Sequence, residues 1–256
     1  MSDKKEIHKK REQLVVKDNF LIENGGWNFG VAEQKIICLA ISKIQPTDKD
    51  LEKLYIIPKE EYCRINGIDM NGFYTNFKKQ SEKILKNFCY GQIGDKIGHI
   101  NFLTQCMYNK NTGNIEIKFH SELKEHLLGL TQKFTAYELI NILELKSRYS
   151  IRLYELLLAN EYKKELEIDL QELKEILVAD GKYYNEFKTF NSKILKPSIE
   201  EISLKTNIKV SYESVRVGKK VGKIKFIITK HNNKRVKKAI QYGLDHNHKS
   251  KKSMKY

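Results

Sequence analysis

Five side chains in the second half of the chain offer hydrogen-bonding groups at a helical spacing: Asn185, Thr189, Ser192, Lys193 and Lys196. Stepped at about 100° per residue, they fall on one side of a helix. Phe187, Phe190, Asn191, Ile194, Leu195 and Ile202 gather within roughly 80° of the opposite, apolar centre. No acid interrupts the polar side before Glu200. Asparagine pairs bidentately with adenine, lysine bonds guanine or phosphate, and hydroxyls bond either. The chemistry on offer is the reading of base edges and phosphates in a duplex groove. Pro197 removes one helical hydrogen bond, so a bend is expected there.

The same string occurs earlier. Residues 77–86 read FKKQSEKILK and residues 187–196 read FKTFNSKILK. Phe77, Lys78, Lys83, Ile84, Leu85 and Lys86 match Phe187, Lys188, Lys193, Ile194, Leu195 and Lys196, and Tyr74 matches Tyr184. On the first copy, Thr75, Lys78, Lys79, Glu82 and Lys86 point away from Phe73, Phe77, Ile84 and Phe88. Thr189 and Ser192 stand where the first copy has Lys79 and Glu82, so the second copy is cleared of acid. Sequence reading is expected there. The first copy is expected to serve as a dimer surface or an auxiliary DNA surface.

The elements that must position these faces repeat as well. The first half predicts a helix over residues 29–44, a strand at 55–57 and a helix at 58–65 closed by Asn66–Gly67. The basic helix at 71–87 follows, then strands at 100–107 and 115–119 around Asn111–Thr112–Gly113. Residues 121–130 read as helical, and Thr135 with Glu138 reads as a capping box before an apolar run to Leu145. The second half predicts a helix from Ser147 with a core stripe of Tyr149, Leu153, Leu156, Leu157 and Asn160. A strand at 166–170, a helix at 171–178 and the basic helix at 183–206 follow, then strands at 208–212 and 224–228. The hairpin between them, VRVGKKVGK, presents Arg216, Lys219, Lys220 and Lys223 for a phosphate backbone or minor groove. Helix, turn, basic helix and hairpin is the order of a winged helix. The fold class expected is α+β, two pseudo-repeated winged-helix domains. An arm takes residues 1–24, the first domain 25–145, the second 146–230, and a basic tail 231–256.

Charge and composition agree with a polyanionic partner. The net charge is +15, and residues 230–256, with nine Lys or Arg against one acid, supply +8 of it. The run Lys234, Arg235, Lys237 and Lys238 reads as an electrostatic arm. No apolar run approaches the ~20 residues of a membrane span, and the N-terminus shows no secretory signal. The four cysteines, Cys38, Cys63, Cys89 and Cys106, form no CxxC pair. Reduced thiols in a cytoplasm are expected.

Catalytic patterns are missing. There is no GxxxxGK[ST] loop and no HExxH. A nicking initiator would need a metal-holding His pair, and the nearest, His246 and His248, flanks a polar Asn247 in the tail. The acid pairs Glu60–Glu61 and Glu200–Glu201 read as solvated faces, and Tyr149 and Tyr154 as packing residues with surface hydroxyls. No enzyme activity, cofactor or metal is expected.

Three blocks, SRYSIRLYELL (147–157), FKTFNSKILKPSIEEI (187–202) and IKVSYESVRVGKKVGKIKF (208–226), resemble in order and spacing the initiator replication proteins of iteron-containing plasmids. FGVAEQKIICLAISKI (29–44) and GNIEIKF (113–119) extend a looser likeness through the first half. The resemblance implies two winged-helix domains and binding to direct repeats at a plasmid origin as monomers. It also implies a homodimer, in equilibrium with the monomer, that joins through the first domain and represses its own gene at an inverted repeat. Host initiator and replicative helicase components are the implied protein partners, with no catalytic site. By this resemblance Asn185, Lys188, Thr189, Ser192, Lys193 and Lys196 inherit the main base contacts. The alternative is a winged-helix transcriptional repressor with no origin function.

Overall fold

The computed structural model describes residues 14–93 and 96–230. The N-terminal strand β1 (Leu14–Asp18) leads into a short helix, α1 (Asn19–Asn24), capped by Asp18, whose Oδ1 accepts from the Phe20 N–H at 3.2 Å. Strand β2 (Gly26–Trp27) and helix α2 (Val31–Ile41) follow; α2 is buried on nearly all sides. Next come β3 (Tyr55–Pro58), α3 (Lys59–Asn66) and α4 (Phe73–Lys86). Gly67 closes α3 at φ 64°, a left-handed cap that favours glycine. Two hairpins then run β4 (Phe88–Ile93) to β5 (Lys96–Asn101) and β6 (Leu103–Asn109) to β7 (Asn114–Phe119).

A short helical stretch, α5 (Lys124–Leu127), leads to β8 (Phe134–Glu138) and α6 (Ile140–Leu143). Helix α7 (Arg148–Ala159) starts at Ser147, whose hydroxyl accepts from the Tyr149 and Ser150 N–H groups. Beyond it lie β9 (Glu165–Asp169), α8 (Leu170–Ile176), and a long helix of three parts: α9 (Phe187–Phe190), a π-helical turn (Asn191–Leu195) and α10 (Lys196–Lys205). Strands β10 (Ile208–Val217) and β11 (Lys220–Lys230) complete the described chain.

The strands form four antiparallel groups: β1–β8, β2–β4–β5, β3–β7–β6 and β10–β11–β9. Each half therefore holds a helix-turn-helix followed by a β-hairpin, and the α+β, two-winged-helix reading stands. One apolar core runs from Val15 to Ile228 through both halves. Helix α7 joins them: α1, α2, β8 and α10 all pack against it.

Four expectations change. Residues 14–24, assigned to the arm, form β1 and α1; β1 pairs with β8 in the register Leu14 with Glu138 to Asp18 with Phe134. Thr135 and Glu138 therefore lie in a strand and form no capping box; the Thr135 hydroxyl donates to Asn19 Oδ1 at 2.6 Å. The hairpin β4–β5 lies where the sequence reading placed only the start of a strand, and Gly91 pairs with Gly98 across it. Glycines at both positions erase the alternation that would announce a strand. Helix α7 is buried at every residue from 150 to 157 rather than along one stripe. Tyr154 is fully buried, and its hydroxyl donates to Asn207 Oδ1 at 2.9 Å instead of reaching the surface.

Total burial of α7 encloses charge. Lys17 of β1 donates to Glu155 Oε1 at 2.6 Å, and Arg152 approaches Glu155 Oε2 at 3.4 Å. The Tyr137 hydroxyl also donates to Glu155. Arg152 gives two more hydrogen bonds of 2.9 Å to the carbonyls of Ile22 and Gly25, and its guanidinium stacks over Trp27 at 3.9 Å. Burial opposes the charge on Glu155, but Lys17 and Arg152 outweigh it and hold the carboxyl below its ordinary range. Burial likewise opposes the charge on Lys17, and Cys38 and Glu155 reverse the sign, leaving the ammonium above its ordinary value. Burial pushes the Cys38 thiol up, which leaves it neutral at pH 7, so Glu155 is the counterion that matters.

Candidate nucleic-acid interface

The turn before the long helix is fastened from below. Asp169 caps α8 by accepting from the Gln171 and Glu172 N–H groups at 2.7 and 3.4 Å. Lys174, on α8, donates to the Asn185 carbonyl at 3.1 Å and lies 5.5 Å from the centre of the Phe190 ring. Burial pushes its ammonium down. Arg148 donates to the Val178 carbonyl at 3.1 Å and to Asn28 Oδ1, tying this turn to the first half. The side chain of Asn185 stays exposed at the helix entrance.

Along the long helix Phe190, Ile194, Leu195, Ser198, Ile199 and Ile202 are buried. Lys188, Ser192, Lys193 and Lys196 are exposed and Thr189 is half-buried. None of the three lysines meets an acid among the described residues. The Ser192 hydroxyl donates to the Thr189 carbonyl at 3.2 Å, a bond a base could replace. Asn191 is half-buried against the hairpin, where its Oδ1 accepts from the Tyr212 hydroxyl at 2.5 Å. The expected effect of Pro197 takes another form. The helix continues to Lys205, and the preceding turn widens so that the Lys196 N–H reaches the Asn191 carbonyl.

The first copy has the same framework with its charges tied down. Tyr62 of α3 sits edge-on to Phe73 and Phe77, and its hydroxyl donates to Asn76 Oδ1 at 2.7 Å. Thr75, Lys78, Lys79 and Lys86 are all exposed. Lys86 pairs with Glu82 at 2.5 Å and Lys83 with buried Glu33 at 3.5 Å, leaving Lys78 and Lys79 without an ion pair among the described residues. Lys86 holds the Glu82 carboxyl below its ordinary range. Gln80 takes the inward place that Phe190 fills in the second copy. It is buried, and its Oε1 finds no partner among the described residues. An unmet buried acceptor costs about 1–3 kcal/mol. Gln80→Leu is therefore expected to stabilise the protein by about 1 kcal/mol, read as a higher urea midpoint at unchanged slope.

The second hairpin is long and half unsupported. β9 pairs with β11 only over Lys223 to Ile227, so residues 215–222 project as two strands alone. Gly218 turns the tip at φ 65°. A bulge at Val215/Arg216 takes up Gly222, where any Cβ would meet Val217 Cγ2 at 2.5 Å. Arg216, Lys219 and Lys220 are exposed on the projecting part with no ion pair among the described residues. Lys223 sits at its root and differs from its neighbours: it pairs with Glu167 of β9 at 2.8 Å, which raises its ammonium.

Sequence reasoning missed Lys174 and Tyr212, which brace the entrance and the wide turn of this helix from other elements. Their only signal would have been the register of strands and helices far away in sequence. The basic run 234–238 and His246 and His248 lie outside the described residues. Among the described residues no group of three His, Cys, Asp or Glu could hold a metal ion, and no helix is long and apolar enough to cross a membrane.

Comparison with known proteins places this geometry. Residues 14–158 match the family described as Initiator Replication protein, WH1, and residues 169–228 the one described as Initiator Rep protein, WH2. The first match takes in α1 and α7 along with the first winged helix. A replication initiation protein of Escherichia coli is 24% identical over 186 residues, covering 70% of this chain and 58% of the relative. The PI protein of Escherichia coli is 32% identical over 144 residues, covering 50% of this chain and 47% of the relative. The chain thus spans about half the length of these relatives. A crystal structure of the Pi initiator protein in complex with iteron DNA matches at TM-score 0.69 and 22% identity, covering 87% of this chain and 99% of that one.

Proposed function

The chain belongs to the initiator replication protein family, and from that premise we propose that it initiates plasmid replication by binding repeated duplex DNA at the origin. What carries the reading is the face of Lys188, Ser192, Lys193 and Lys196, exposed and without an ion pair among the described residues, together with the projecting Arg216, Lys219 and Lys220. The helix enters the major groove with Asn185 and Thr189 at its N-terminal end, and the hairpin follows the neighbouring backbone or minor groove. The crystal structure of the Pi initiator, a protein of the same fold, holds iteron DNA, which supports repeats as the ligand.

The first copy takes a different part. With Lys83 and Lys86 paired to acids, it offers only Lys78 and Lys79 to DNA and serves as an auxiliary contact or a homodimer surface. The homodimer stands in equilibrium with an origin-binding monomer and represses the protein's own gene. Host initiator and replicative helicase components assemble on the bound protein in the bacterial cytoplasm. In this reading β1 and α1 join residues 25–145 in one functional domain, and residues 146–230 form the other.

Footprinting the purified protein on the DNA flanking its own gene tests the proposal. Protection of several direct repeats beside an AT-rich stretch is expected; a single protected palindrome points instead to a repressor alone. On the protected repeat, Lys193→Ala and Lys196→Ala are each expected to cost about 1–3 kcal/mol where the lysine reads a base. A double variant that binds like the parent removes this helix from the interface.

A further inference from the structure

The long helix leaves α-geometry at one place, the π-helical turn Asn191–Leu195. Pro197 explains it. Proline has no N–H for the Lys193 carbonyl, and its ring crowds that carbonyl in a regular turn. Opening the helix by one residue relieves both. The first copy carries Asn87 where the second has Pro197, and its corresponding residues, 81–85, run as ordinary α-helix inside α4. The widening therefore belongs to the second copy alone, although the two strings share six letters.

One inserted residue changes which side chains line up. Lys188 and Lys196 are eight residues apart, and on an unbroken α-helix they would diverge by about 80°. With one residue taken up in the wide turn they stand about seven apart in phase, within roughly 20° of each other. Ser192 falls between them. The buried side agrees: with this insertion Phe187, Phe190, Ile194, Leu195, Ser198, Ile199 and Ile202 fall within about 140° of arc, against about 180° on an unbroken helix, and all but half-buried Phe187 are buried. The turn is also held from outside. Tyr212 lies on the inward face of β10 with Ile208 and Val210, and its hydroxyl donates to Asn191, the first residue of the turn, at 2.5 Å.

We propose that this π-turn is a specificity element. Pro197 imposes it, Tyr212 clamps it through Asn191, and together these positioning residues align Lys188, Ser192 and Lys196 into one row facing the groove. π-turns cost a helix regularity and occur often at functional sites. The inference rests on the DNA-reading role proposed for this helix and adds the residues that set its phase.

The test measures affinity for the footprinted repeat and for a scrambled duplex of equal length and composition, alongside the melting temperature. Pro197→Ala restores the missing N–H. It is expected to melt at or above the parent temperature yet lower the cognate-to-scrambled ratio about tenfold or more, the worth of one misplaced base contact. Tyr212→Phe keeps the ring and loses only the clamp. It is expected to melt near the parent and lower the ratio several-fold, with scrambled binding unchanged. A role in stability alone would move the melting temperature and leave the ratio. Parental ratios in both variants, with Lys196→Ala still losing its ratio, overturn the π-turn and leave the DNA-reading helix standing. A parental ratio in Lys196→Ala overturns both.

Discussion

Glu155→Gln is expected to destabilise the protein by about 3–5 kcal/mol, the range for removing one partner of a buried ion pair. The substitution keeps size and shape and removes the carboxylate that pairs with both Lys17 and Arg152, each almost fully buried. Two buried cations are left without a counterion, and the Tyr137 hydroxyl loses its charged acceptor. Lys17→Met costs less, because Arg152 still neutralises Glu155 at 3.4 Å. The pH dependence follows from the shifts. The Glu155 carboxyl is depressed, so its contribution is whole above the ordinary value of 4.5 and is lost as pH falls through the folded value. The Lys17 ammonium is raised, so its contribution is whole below 10.5 and is lost as pH rises through the folded value. Urea melts across that window should show a plateau in the parent. A Glu155→Gln unfolding free energy within about 1 kcal/mol of the parent would contradict the account.

DNA affinity is expected to fall about 10³-fold between roughly 50 and 200 mM salt. Six cations on the candidate interface meet no acid among the described residues: Lys188, Lys193, Lys196, Arg216, Lys219 and Lys220. Each phosphate neutralised contributes about −0.9 to the slope of log affinity against log salt, so six give about −5. Lys223 is left out because Glu167 already neutralises it. Replacing Lys219 and Lys220 together by alanine should lower the slope by about 2 and keep most of the cognate-to-scrambled ratio. Filter-binding titrations at several salt concentrations measure it, and a flat response would exclude DNA as the partner.

What was legible in the sequence was local. The α3 helix with its Gly67 cap, α7 with its Ser147 cap, α4, and the hairpins turned at Gly113 and Gly218 all carry short-range signals. What escaped was distant or broke a period. β1 reads as an arm because one of its two buried residues is a lysine, and the carboxylate that makes Lys17 tolerable is far along the chain. Lys223 looked like one more wing cation because Glu167, across the sheet, is 56 residues away. A constant 100° step grouped Lys196 with Thr189 and could not place Lys188. The wide turn before Pro197 corrects the phase. The outward residues were identified; their alignment was not.

The separation of Lys17 from Glu155 by 138 residues also orders events during synthesis. A ribosome adds roughly 5–20 residues per second. The first strand therefore waits on the order of ten seconds for β8 and α7 to be made. Until then it exposes an unpaired edge and an uncompensated lysine. The pairing of β1 therefore waits on the helix that opens the second half.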